Sequence, residues 1–258
     1  MKLNFLGTGG GRYATGEQDR RTGGIVVETQ ETQIHVDPGP GALVWNHEEI
    51  EEPLETEAVI VSHAHLDHAN DAEAIIEMMT EAAKLPGNLF ANETALNGYG
   101  DIDQCISNFH QELCLNVKTL DEGSSFEFKD VTIESQHMFH GDPKTAGIKI
   151  KGEKTVGFWT DTEFSEELLG FYEECDWLVI YCTRPKDRGV PSHTGISDVP
   201  KILEAVQPEK CLLTHFGKAL LDSDMEAQKE WLKEQTDVKI TFAEDGMSFP
   251  GNRSLGDF

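Results

Sequence analysis

Short apolar runs rich in β-branched residues, divided by polar breaks, dominate the pattern of the chain. "KLNFL", "GIVVET", "TQIHVD" and "AVIVSH" each read as a strand in the first part, and "VTIES", "AGIKIKG", "KTVGFWTD", "WLVIYC", "KCLLTHF" and "VKITFAED" repeat the pattern later. Three stretches switch to helical period. "NDAEAIIEMMTEAAKL" predicts a helix with Asn70 or Asp71 as N-cap and Pro86 as its stop. "SDVPKILEAVQP" predicts one that starts near Ser197, carries Pro200 in its first turn and ends before Pro208. "SDMEAQKEWLKEQT" predicts a third from near Ser223. The acidic stretch around Glu48 to Glu57 reads as a solvated connection. No long linker, repeat or low-complexity tract breaks this order, so one domain over residues 1–258 is expected. Two sheets packed face to face with helices outside would use all these elements, although the pattern alone does not choose that arrangement.

Composition narrows the class. The 258 residues are enough to bury a full core, and 38% hydrophobic with 26% charged residues is ordinary for a soluble globular protein. No apolar run reaches the roughly 18 residues that a membrane span needs. The opening "MKLNFLGTGG" lacks the longer apolar core of a secretory leader, so a cytoplasmic protein with no membrane partner is expected. Cys105, Cys114, Cys175, Cys182 and Cys211 are odd in number and form no C-x-x-C, which favours free, mostly buried thiols over disulfides or a zinc–thiolate site. A net charge of −26 repels nucleic-acid backbones over most of the surface. Long nucleic acid is therefore not an expected partner, and a homo-oligomer is left open.

Chemistry is concentrated in "VSHAHLDHAN", where His63, His65, Asp67 and His68 crowd into one connection between a strand and a helix expected from Asn70. Imidazole nitrogens and carboxylate oxygens are good ligands for zinc and similar divalent ions. Four such groups are too many for one closed tetrahedral site, so two neighbouring ions completed from elsewhere are expected. A chance surface turn would have no matching ligands at other strand ends. Three exist: His140 in "MFHGDP", Asp161 in "GFWTDTE" and His215 in "CLLTHFG".

"SHAHLDH" resembles the H-x-H-x-D-H signature of the metallo-β-lactamase-fold hydrolases. "LGTGGG", "HVDPGPGA", "FHG", "WTDTE" and "LLTHFG" resemble that superfamily's other motifs, in its order, over most of the chain. The resemblance implies an α/β protein, an αββα sandwich of two mixed sheets flanked by helices, with metals at one edge between the sheets. It implies that His63, His65 and His140 hold one ion, that Asp67, His68 and His215 hold the second, and that Asp161 bridges them. Asp37, in "HVDPG", would stand behind a ligand and orient it. The cofactors implied are two divalent metal ions, zinc first, with manganese or iron as alternatives.

Other signals are weaker. His137 lies close to His140 and competes with it as a ligand, but "FHGDP" matches the family's third-histidine motif better. His35, His47 and His110 read as satisfied or solvent-facing. His193, in "VPSHTGISDV", resembles a histidine that phosphodiesterase members place beside the metals to assist at the scissile phosphate. "GTGGGR" fails both G-x-G-x-x-G and the P-loop, because Arg12 occupies the third glycine's place; its glycines read as tight turning near the site. Arg184, Lys186 and Arg188 in "TRPKDRG" are candidates for docking an anionic small molecule, with Arg12, Arg20 and Arg21 as a second group.

The expected chemistry is hydrolysis by hydroxide generated from water between two ions, with Asp67 and His193 as catalytic residues. Aspartate at position 161, where true β-lactamases usually have cysteine, favours the phosphodiesterase, thioesterase and lactonase branches. The interval from His140 to Asp161 is too short for the substrate-gripping arm common in the tRNA 3′-processing branch. The expectation is a phosphodiesterase resembling that branch without its arm, acting on a small phosphodiester such as a cyclic nucleotide. The alternatives are a lactonase or thioesterase, an RNA 3′-processing nuclease and, last, a non-catalytic metal-binding scaffold.

Overall fold

The computed structural model describes residues 1–189 and 191–251, so the end of the expected 1–258 span, residues 252–258, lies outside the described residues. Fourteen strands form two seven-stranded sheets among the described residues. The first six are β1 (Lys2–Phe5), β2 (Ile25–Glu28), β3 (Gln33–Val36), β4 (Thr56–Val61), β5 (Asn88–Ala91) and β6 (Asn116–Thr119). Seven more follow: β7 (Ser125–Phe128), β8 (Val131–His137), β9 (Ala146–Lys151), β10 (Thr155–Trp159), β11 (Trp177–Tyr181), β12 (Lys210–Thr214) and β13 (Ile240–Phe242). The last, β14 (Met247–Phe249), crosses back to the first sheet. The sheet orders are β14-β1-β2-β3-β4-β5-β6 and β13-β12-β11-β10-β9-β8-β7. Both sheets are mixed: β1 to β3 and β7 to β10 pair antiparallel, while β3 to β6 and β10 to β13 pair parallel.

The layers follow from strand period. In β4, Ala58 and Ile60 face the second sheet, in a core with Ile148, Ile150, Phe158 and Val179. The alternate residues Val59 and Val61 face outward and are covered by Ile75, Ile76 and Met79 of the helix Ala72–Thr80. On the other side, Leu178, Ile180 and Leu213 pack against Ile202, Leu203 and Val206 of the helix Val199–Val206. The result is the αββα sandwich that the motifs imply.

Several boundaries differ from the sequence reading. The helix expected up to Pro86 stops at Thr80, with Glu81, Ala82 and Ala83 all at positive φ. Residues 81–86 are exposed, so nothing apolar remains there to hold another turn against the sheet. The helix Val199–Val206 has Pro200 in its first turn, and Met225–Gln235 is capped by Asp224, whose carboxylate accepts from Ala227 N. Part of the acidic connection is helical, since Ala42–Glu49 includes Glu48 and Glu49. The strands β5, β6, β7 and β14 had no strong apolar pattern; β6 and β7 are half-exposed edge strands, and β14 exists through its pairing with β1. No helix among the described residues is long and apolar enough to cross a membrane.

Candidate metal centre

Strand ends build the centre. Asp37 follows β3, and Ser62 and His63 follow β4; Asp161 comes shortly after β10 and His215 directly after β12. The sequence reading placed His63, His65, Asp67 and His68 on one connection ahead of a helix from Asn70. Instead, Leu66–Ala69 is a one-turn helix carrying Asp67 and His68, with His65 extended before it and His65 O accepting from His68 N and Ala69 N. That turn separates the four side chains into two groups.

His65 Nδ1 lies 3.0 Å from both His63 Nε2 and His140 Nε2. His215 Nε2 lies 2.9 Å from His68 Nε2 and 3.1 Å from Asp67 Oδ2. Between the two trios sits Asp161: its Oδ2 is 3.4 Å from His68 Nε2, 3.6 Å from His140 Nε2 and 3.9 Å from His63 Nε2. All of these groups are buried or nearly so, with His63 wholly inaccessible.

The outward nitrogens show what the inward ones must be. His68 Nδ1 lies 3.0 Å from Asp37 Oδ2, a carboxylate that can only accept, so His68 carries its proton there. Ser62 Oγ donates to the same Asp37 oxygen at 2.8 Å and is left to accept from His63 Nδ1 at 3.0 Å. His140 Nδ1 donates to Ser192 O at 2.7 Å, and His215 Nδ1 meets Thr183 Oγ1 at 3.1 Å. The Nε2 atoms of His63 and His140 therefore turn lone pairs toward one nitrogen of His65, and His68, when neutral, turns its Nε2 lone pair toward His215 Nε2. Facing lone pairs at such distances repel unless a cation lies between them. A tetrahedral zinc with bonds of about 2.0–2.1 Å holds its nitrogens at comparable spacing. Asp161 Oδ1 is buried with no hydrogen-bond partner, a further donor atom left for an ion. The donor set fits two divalent cations.

Electrostatics agree. Burial opposes ionisation of Asp67 and Asp161, yet the surrounding histidines outweigh it and hold both carboxyls well below their usual range. Burial alone would keep His68 neutral, but Asp67 and Asp37 overcome it and raise its pKa well above normal. The point between those carboxylates favours positive charge, a proton if no cation is there. Burial pushes His63 well below its normal value and His140 down to about 4, so both present neutral imidazole.

The backbone is held in unfavourable conformations to achieve this. Asp37, Ser192 and His215 all have positive φ, at 52°, 67° and 61°. Gly10 passes so close to the His215 ring that a Cβ there would fall 2.2 Å from Cδ2. Where the sequence reading expected tight turning, Gly10 serves close approach to the site and Gly11, at φ 74°, serves the turn.

A cavity of about 790 Å³ opens over Asp67 and Asp161 and includes His193, Arg184, Arg12 and Tyr13 in its wall. His193 Nε2 lies 3.8 Å from Asp161 Oδ2. Arg184 Nε is buried without a partner. The other two cations of its loop do not line the cavity: Lys186 stacks over Trp231 at 5.5 Å, and Arg188 is exposed. Of the second group only Arg12 lines it. Arg20 bonds Thr8 Oγ1 at 3.1 Å, and Arg21 pairs with Glu49 at 2.5 Å over the Trp45 ring. His137 turns away to Pro143 O at 2.9 Å, His110 pairs with Glu73 at 3.0 Å, and His47 is exposed. His35 is half-satisfied, with Nε2 on Gly23 O at 2.8 Å and Nδ1 unpartnered.

Two supporting residues escaped the sequence reading. Asp142 is fully buried and accepts from Thr94 Oγ1 (2.6 Å), Asn92 Nδ2 (2.8 Å), Lys144 N (2.9 Å) and Ala64 N (3.1 Å). It ties the His140 loop to the histidine turn, and its signal was the aspartate inside "FHGDP". Tyr181 donates to Asp37 Oδ2 at 3.0 Å and stacks on His215 with ring centroids 5.2 Å apart. Within the apolar run "WLVIYC" nothing marked it out.

Known proteins share this fold. The family model described as beta-lactamase superfamily domain matches residues 32–216. The uncharacterized protein MJ1374 of Methanocaldococcus jannaschii is 32% identical over 96% of this chain and 94% of its own length. The metallo-beta-lactamase fold protein YhfI from Bacillus subtilis superposes with a TM-score of 0.77 at 17% identity, covering 96% of this chain and 98% of that one. A diphosphatase from the PhnP family gives a TM-score of 0.69 at 16% identity, over 96% of each chain.

Proposed function

The chain belongs to the beta-lactamase superfamily, and from that footing we propose that it is a dinuclear metal-dependent hydrolase acting on small phosphodiesters. The observation that carries the phosphate assignment is Arg184, a cation with a buried, unpartnered Nε in the wall of the cavity that holds Asp67, Asp161 and His193. On a protein of net charge −26, a cation in the cavity wall whose buried Nε meets no carboxylate is best explained by an anionic ligand. The structural likeness to a diphosphatase from the PhnP family supports the same branch. So does the stretch from His140 to Asp161, where the hairpin β9–β10 takes the place of a long arm.

His63, His65 and His140 would hold one cation and Asp67, His68 and His215 the other, with Asp161 shared; imidazole and carboxylate donors suit zinc first, then manganese or iron. When bound, such a pair lowers the pKa of water toward ~7 and offsets charge developing on phosphoryl oxygens. The side chains supply the rest. Arg184 orients the phosphodiester anion. Asp67, held ionised and fixed by Gly11 N at 2.5 Å, can take the proton of the attacking water. His193, half-exposed at the cavity wall, is placed to donate a proton to the departing alkoxide.

A second reading, lactone or thioester hydrolysis, draws on the exposed Tyr13 and Leu66 at the same cavity, which would suit an apolar acyl group. Zinc- or manganese-loaded protein assayed on bis-p-nitrophenyl phosphate separates the two. Turnover of the diester is expected. Ester or thioester turnover without it would replace the phosphodiester reading, and a fully metallated protein inert on every ester would return the chain to a binding scaffold.

A further inference from the structure

We infer that Asp245, on the connection from β13 to β14, is a positioning residue for the Asp67–His68–His215 trio and not for the His63–His65–His140 trio. The inference rests on the dinuclear reading above. Asp245 Oδ1 accepts from Thr8 N at 2.8 Å and from Thr8 Oγ1 at 2.7 Å, and Oδ2 accepts from Arg21 N at 2.9 Å. One carboxylate therefore clamps both ends of the glycine-rich loop and the helix Gly11–Glu17 that follows it.

That loop touches the trio at two points. Thr8 O accepts from Phe216 N at 2.7 Å and Gly10 N donates to Phe216 O at 3.2 Å, which fixes the residue directly after His215. His215 has φ +61°, a conformation a histidine keeps only when its flanks are held. Gly10 also lies against the imidazole itself. The second point is Gly11 N, which donates to Asp67 Oδ2 at 2.5 Å. The other trio is held differently, through Ser62, Ser192 and Asp142, and none of these bonds to Thr8, Arg21 or Asp245 among the described residues. Asp37 reaches both halves of the centre, through His68 and through Ser62, whereas the Asp245 clamp reaches only one.

Asp245→Asn keeps the shape but replaces one acceptor oxygen with an amide that cannot accept. Zinc titration of the chelator-stripped full chain, against a competing indicator, should show two binding steps in the wild type. In Asp245→Asn one step should weaken by about 10–100-fold, the range for lost outer-shell support, while the other stays within about two-fold. Thr8→Val removes the hydroxyl's contacts with Asp245 and Arg20 but keeps the bond from the backbone N of residue 8 to Asp245, and should weaken the same step by a few-fold; it decides the matter if the aspartate variant fails to fold. Equal weakening of both steps would mean general destabilisation and would overturn the inference, as would no change in either. A wild-type chain that binds no zinc would overturn the dinuclear reading and this inference together, an outcome distinct from the other two.

Discussion

Asp37 and His68 form a hydrogen bond of 3.0 Å in which the carboxylate takes the Nδ1 proton and so fixes which face of the imidazole is bare. The same oxygen accepts from Tyr181 and from Ser62, so one buried carboxylate sets the orientation of groups in both trios. Asp37→Asn should therefore lower zinc affinity by about 10–100-fold. Tyr181→Phe loses one hydrogen bond, worth roughly 1 kcal/mol, but keeps the ring stack and should cost less than ten-fold. Chelator competition measures both; a Phe variant weaker than the Asn variant would refute the ordering.

His193 stands at the cavity wall with Nε2 3.8 Å from Asp161 Oδ2, Nδ1 3.3 Å from Pro191 O and its ring edge-on to His140. His193→Ala should leave two zinc ions bound per chain and reduce kcat on an activated diester by about 10²–10⁴-fold. Metal analysis beside steady-state kinetics checks this. Loss of a zinc ion would make His193 a ligand instead.

Arg184→Ala should raise KM for the diester by about ten-fold or more, the size of a lost charge-assisted hydrogen bond. Lys186→Ala and Arg188→Ala, whose side chains lie outside the cavity lining, should stay within about two-fold of the wild type. Equal effects from all three would show a diffuse field acting in place of one contact.

Asp142 binds four donors from three segments in a fully buried position. Asp142→Ala strands those donors and should cost roughly 3 kcal/mol or more. In thermal melts of metal-free protein this is a fall in Tm of about 6 °C or more. A variant as stable as the wild type would mean that water replaces the carboxylate.

His35 is buried on β3, and burial pushes its pKa down to about 4 from 6.5. The unfolded chain then binds more protons than the folded one between those values. Stability from this group is complete above pH 6.5 and is lost as pH falls through the folded value of about 4, roughly 3 kcal/mol in total. Urea unfolding of metal-free wild type and His35→Gln, compared at pH 7 and pH 4, isolates it. Equal losses in the two proteins would refute it.

Much of this was legible in one dimension. The β-branched runs marked ten of the strands because alternation between two buried faces demands apolar residues at nearly every position. The ligand types stood out because histidine and aspartate at strand ends have little structural reason to be there. Where burial did not dictate composition, the reading weakened. The edge strands β6 and β7 are half-exposed, and the helix after the histidine turn lost its last turn where packing ended.

The sequence by itself determined which groups can bind cations, which segments fold as strands, and the acidic character of the surface, because these follow from residue chemistry and local period. Only the tertiary structure decided that a helical turn parts the histidine segment into two groups, which cation of "TRPKDRG" lines the cavity, and that Asp142, Tyr181 and Asp245 support the site. Those relations join residues far apart in the chain, so they are set by how the sheets stack and where loops meet, quantities that no local pattern encodes.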